Sequence, residues 1–170
     1  MSPLQFGREA QREVSRRFAE AQFQRFEPVA DEYGVDLVVR RDALTPFHTI
    51  QVKGVRWLHD DTSGKHRSLP YVFIEKSKMT GVDWVAIVLV PQSGVLTEDL
   101  AKDPSEGPLE IFLIPTTAWE PWGNTPKAPL TQRAYANGQK SRPEYGVYIA
   151  RKHLKTLREE FDWEIGIKSI

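Results

Sequence analysis

The sequence predicts an α+β or α/β fold in which helices pack against one sheet. An amphipathic helical repeat opens the chain, short β-branched runs follow, and a second helical segment closes it. That order is expected when helices cover a sheet. The chain has 170 residues, 40% of them apolar and 27% charged, which suits a single soluble domain with its own core.

Residues Pro3 to Ala21 are predicted helical. Phe6, Ala10, Val14 and Phe18 recur every fourth residue and form one apolar stripe. Ser2 can cap this helix and Pro3 suits its first position. Phe23 to Val29 reads as a short strand or extended entry, and Asp31 to Gly34 as a turn. Val35 to Arg40 is a predicted strand, with Val35, Leu37 and Val39 on one face. Phe47 to Gly54 is the next, and the short Arg41 to Pro46 connection predicts an antiparallel hairpin. Leu58 to Ser68 is polar and predicts a loop. Tyr71 to Ile74 fits a strand or a helix fragment. Asp83 to Val90 is strongly apolar, as in a strand buried on both faces. A loop rich in Gly, Pro and acids covers Pro91 to Pro108, and Leu109 to Ile114 is another strand. Pro115 to Leu130 carries four prolines with Trp119 and Trp122, which predicts irregular but packed chain. Asn137-Gly138 signals a tight turn, Tyr145 to Ile149 a strand, and Arg151 to Phe161 a closing helix.

Several classes of function are excluded or disfavoured. Without cysteine there is no disulfide, cysteine zinc site or thiol nucleophile. The longest apolar run, Trp84 to Pro91, is too short to span a bilayer. Met1 to Ala10 lacks the apolar core of a signal peptide, so a cytoplasmic protein is expected. Net charge is zero, but it is unevenly spread. Gln51 to Thr80 carries three more cations than acids, Thr131 to Arg158 six more, and Leu96 to Glu120 is acidic. Such segments can bind phosphates locally in a neutral protein. His48, His59, His66 and His153 share no metal-ligand spacing, and no phosphate-cradling glycine loop or nucleophile elbow is present.

The chemistry-bearing pattern is Gly34-Val35-Asp36-Leu37 followed by Ile50-Gln51-Val52-Lys53. Residues two apart on a strand share a face, so Gln51 and Lys53 lie together while Ile50 and Val52 face the other way. An acid, an amide oxygen and an ammonium gathered on a sheet can hold a magnesium ion and a water. Singly, each residue has a plain structural role: Asp36 can end a turn, Gln51 and Lys53 can be a solvent face, and Glu13 can be a surface ion pair with Arg17 at i,i+4.

Together, the acid in the first helix, the Asp at the second strand and the Gln-x-Lys of the third resemble the PD-(D/E)XK nuclease superfamily, over roughly Phe6 to Arg56. Gln51 stands where Glu is usual, and Val35 where Pro is usual. The resemblance implies a restriction-endonuclease-like mixed sheet flanked by helices, with a family-like core over about 6–90 and further elements over 109–165. It implies an Mg2+- or Mn2+-dependent DNA endonuclease, possible as a homodimer. Asp36, Gln51, Lys53 and Glu13 would form the catalytic set, with Glu9 the alternative helix acid. Glu13, Asp36, Gln51 and the Val52 carbonyl would hold the metal. Arg40, Arg56, Lys65 and Arg67, close in sequence, are candidate DNA contacts. Two rivals stand beside this: a non-catalytic nucleic-acid- or protein-binding module of the same fold, and an unrelated α+β domain with its site in Trp119 to Tyr145.

Overall fold

The computed structural model describes residues 3–28, 34–56, 71–90, 109–118, 130–131, 138–140, 142–148 and 151–170. The chain is α+β, with a mixed five-stranded sheet flanked by helices. In chain order the described elements begin with helix α1 (Pro3–Glu20) and strands β1 (Gln24–Phe26), β2 (Leu37–Arg40), β3 (His48–Arg56) and β4 (Tyr71–Glu75). After a 3-10 turn at Lys76–Met79 come β5 (Trp84–Val90), β6 (Glu110–Pro115), β7 (Leu130–Thr131) and β8 (Glu144–Tyr148). Helices α2 (Arg151–Glu160) and α3 (Trp163–Gly166) close the chain.

The main sheet has the order β1-β2-β3-β5-β6. Strands β1, β2 and β3 pair antiparallel, β3 and β5 pair parallel, and β6 returns antiparallel to β5. The expected hairpin is therefore present, with Leu37 opposite Ile50. The parallel step from β3 to β5 needs a crossover, and β4 lies within it. That strand leaves the main sheet and joins β8 and β7 in a second, three-stranded one. Tyr71 to Ile74, undecided from periodicity, is thus strand, because four residues of β8 stand opposite it.

The main sheet is buried on both faces, and β5 shows how. Val85, Ile87 and Leu89 enter one core with Val55, Val72, Ile74, Leu154 and Leu157, which come from β3, the second sheet and α2. Ala86 and Val88 enter the other with Ala10, Val14 and Phe18 of α1 and with Ile50 and Val52. A period of two with both sets apolar produces an unbroken hydrophobic run. The α1 stripe behaves as expected, since Val14 and Phe18 are 0% exposed.

The short helix α3 was not visible in the sequence pattern. Asp162 starts it by accepting a 3.0 Å hydrogen bond from the Glu164 N–H. Trp163 then meets Phe18 edge-to-face at 4.8 Å, and Gly166 lies flat on β6. A Cβ built at Gly166 would stand 2.5 Å from the Leu113 Cβ. Neither atom is at the end of a flexible chain, so Gly166→Ala is expected to cost roughly 1–3 kcal/mol as an overpacking change. Equilibrium urea unfolding would read this as a lower midpoint at an unchanged slope.

Candidate metal and phosphate site

The site is built where β2 leaves β3. The last main-chain bond of that pair runs from the Asp36 N–H to the Ile50 carbonyl, at 2.9 Å. Beyond it the chain turns away through Gly34, whose φ of +71° favours glycine. A side chain there would also meet the Lys78 Cβ at 2.8 Å and the Gln51 Nε2 at 3.1 Å. The expected strand from Val35 accordingly begins at Leu37.

Leaving early strands one ladder donor, the Val52 N–H, and the Asp36 carboxylate takes it. Val52 N–H donates to Asp36 Oδ2 at 2.7 Å. The donor peptide is the one that joins Gln51 to Val52, so Asp36 is fastened directly to the Gln-x-Lys strand. Alternation of main-chain groups along β3 turns the Val52 carbonyl to the same edge as that of Ile50, toward the opening beside Asp36. The other Asp36 oxygen, Oδ1, accepts a 2.6 Å hydrogen bond from the Gln11 Nε2 on α1.

Gln51 is 2% exposed, and its Oε1 is buried with no hydrogen-bond partner among the described residues. Such an orphaned oxygen is uncommon in a folded protein and calls for an explanation. Lys53, half-buried, follows on the same face as Gln51. Ile50 and Val52 instead pack toward α1. The face-sharing expected of Gln51 and Lys53 is therefore present, with Asp36 at the seam beside them.

Glu13 is placed differently from Asp36. Its carboxylate accepts hydrogen bonds from Arg16 at 2.6 and 2.8 Å and from Arg17 at 3.1 Å. Hydrogen bonding by Arg16, foremost, holds its pKa below the usual carboxylate range, against a contrary push from partial burial. Positions two apart on a helix differ by about 200°, so Gln11 and Glu13 flank opposite sides of the apolar stripe. The α1 residue joined to Asp36 is the neutral Gln11, which the sequence reading missed. Glu9 is exposed. Among the described residues no group of three or more His, Cys, Asp or Glu could together hold a metal.

Of the candidate DNA contacts, Arg40 lies at the far end of β2 from the seam. It donates to the Gln24 Oε1 at 2.6 Å and stacks over Phe47 and Phe26, 4.7 and 5.7 Å from their centroids. Arg56 ends β3. Lys65 and Arg67 lie outside the described residues, as do His59 and His66. His48 heads β3 opposite Val39.

No family model matches the chain, and no curated protein matches it. Solved structures with similar coordinates include a bacterial homing endonuclease, 16% identical with a TM-score of 0.47, covering 88% of this chain and 77% of its own. They also include Hjc, a Holliday junction resolvase from the archaeal hyperthermophile Archaeoglobus fulgidus. It is 9% identical with a TM-score of 0.43, covering 94% of this chain and 99% of its own. No described helix is long and apolar enough to cross a membrane.

The lowered pKa of Glu13 has a testable sign. A carboxylate with a depressed folded-state pKa contributes stability above its unfolded value, and that contribution is lost as pH falls through the folded value. Wild-type stability should thus contain a small component that declines below about pH 4.5, of the size of an exposed helical ion pair. Glu13→Gln should remove it while leaving the neutral-pH fold intact, as followed by thermal melts across pH.

Proposed function

We propose that the chain is a metal-dependent phosphodiester hydrolase acting on DNA, centred on Asp36. The observation that supports this most is the seam itself. One carboxylate, accepting from the Val52 N–H and the Gln11 amide, sits against the strand that carries a buried amide oxygen with no partner among the described residues, a main-chain carbonyl turned to the opening, and a lysine. The donors are all hard oxygens, which fits magnesium or manganese. Asp36, the Gln51 Oε1 and the Val52 carbonyl would hold the ion. Bound there, it would polarise a phosphoryl oxygen and acidify a coordinated water.

The chain's own groups then divide the remaining work. The Val52 N–H and Gln11 amide hold the Asp36 carboxylate in a single orientation, as outer partners of a metal ligand do. Lys53 brings positive charge to the charge that builds on phosphorus in the transition state. Its half-buried position strengthens that interaction relative to open water. Glu13 is left out of this set because two arginines already engage its carboxylate.

One carboxylate among neutral amides is a low-charge site, since ligand charge count tunes affinity for hard cations. This favours a second reading, a module that binds DNA without cutting it. Nicking of supercoiled plasmid in magnesium or manganese separates the two. Asp36→Asn keeps the acceptor for the Val52 N–H and so keeps the fold. It and Lys53→Ala should each reduce nicking by roughly 100-fold or more, whereas Glu13→Gln should cut like wild type. Equal cleavage by all four proteins would exclude this site. DNA binding with no cleavage in either metal would establish the second reading.

A further inference from the structure

Asp36 is among the residues lining a cleft of about 880 Å³ that runs along one flank of α1. Four arginines line it: Arg8, Arg12 and Arg16 from α1, and Arg25 from the facing chain. Against them stand the acids Glu27 and Asp36. The three helical arginines are spaced at i, i+4 and i+8, so they form one ridge with steps of about 6 Å along the axis. That step is comparable with the distance between neighbouring phosphates on one nucleic-acid strand.

The four differ in how far folding has already used them. Arg16 is committed to Glu13 and Glu20. Arg25 is steadied by the Ser15 carbonyl and hydroxyl, both at 3.1 Å and both through Nη1. Arg8 and Arg12 are exposed and make no hydrogen bond or ion pair among the described residues. No described residue engages their guanidinium forks, and such a fork matches phosphate oxygens in pairs.

We infer that the Arg8–Arg12 ridge of α1 is the track that seats the phosphate backbone of DNA and leads it to Asp36. The inference rests on the proposed hydrolase reading and adds the surface that would hold its substrate. It takes the place of Arg40 as a candidate backbone contact, since that guanidinium is occupied by Phe47, Phe26 and Gln24.

The test is binding of a fluorescein-labelled DNA duplex by anisotropy, in EDTA so that no cleavage occurs, across a range of salt. The R8Q/R12Q double variant should bind at least tenfold more weakly at low salt. Its plot of log affinity against log salt should be shallower by about two phosphate contacts. A control that removes the same charge elsewhere, Lys155→Gln with Lys168→Gln, should bind like wild type, and circular dichroism should show both proteins folded. Asp36→Asn should retain binding. An R8Q/R12Q protein with wild-type affinity and salt slope would overturn the track and leave the hydrolase reading standing. Equal losses in the control variant would also overturn it, by showing only diffuse attraction. Failure of the wild-type protein to bind DNA would sink both.

Discussion

The arrangement depends on one main-chain donor. When β2 turns away at Gly34, the Val52 N–H loses the strand partner it would otherwise have, and a buried unpaired N–H costs about 1–3 kcal/mol. The Asp36 carboxylate takes up that donor at 2.7 Å. The contact closes the end of the β2–β3 ladder, and it holds a negative charge against the Gln51–Val52 peptide. A requirement of the fold and a requirement of the proposed chemistry are thus met by the same atom pair.

The surroundings keep the seam from closing. On one side Ile50 and Val52 are locked against α1, which also delivers Gln11 to Asp36. On the other side Gln51 lies beneath Gly34, where a Cβ would collide with Lys78. Charge is handled similarly elsewhere. Within the basic C-terminal segment, Arg158 forms a two-pronged pair with Glu110 on β6, both contacts at 2.7 Å. That hydrogen bonding holds the Arg158 pKa above its ordinary value. This pair offsets one cation of that segment, whereas Arg8 and Arg12 have no such partner among the described residues.

Much of this was legible because it follows from period. The four-residue stripe through Phe18 marked α1, and the unbroken apolar run marked β5 as a strand buried on both faces. Gln51 and Lys53 share a face because strand residues alternate. What was not legible depends on where elements sit relative to each other. The α1 acid at the seam was expected at Glu13, but the helix presents Gln11 there. The signal that could have shown this lies in the sequence: Arg16 and Arg17 stand three and four residues after Glu13, the spacing that ties up a helical carboxylate. The short helix α3 escaped because four residues carry no period, and its position comes from Trp163 docking on Phe18 and Gly166 lying on Leu113.

The central claim is that the oxygens of Asp36, Gln51 and Val52 receive a divalent cation. Crystals soaked in manganese and measured at the manganese absorption edge test it most directly. The account predicts an anomalous peak within coordination distance of an Asp36 carboxylate oxygen, the Val52 carbonyl and the Gln51 Oε1, and no peak in Asp36→Asn crystals. No peak at the seam at millimolar manganese, or one that persists without the Asp36 carboxylate, would contradict it.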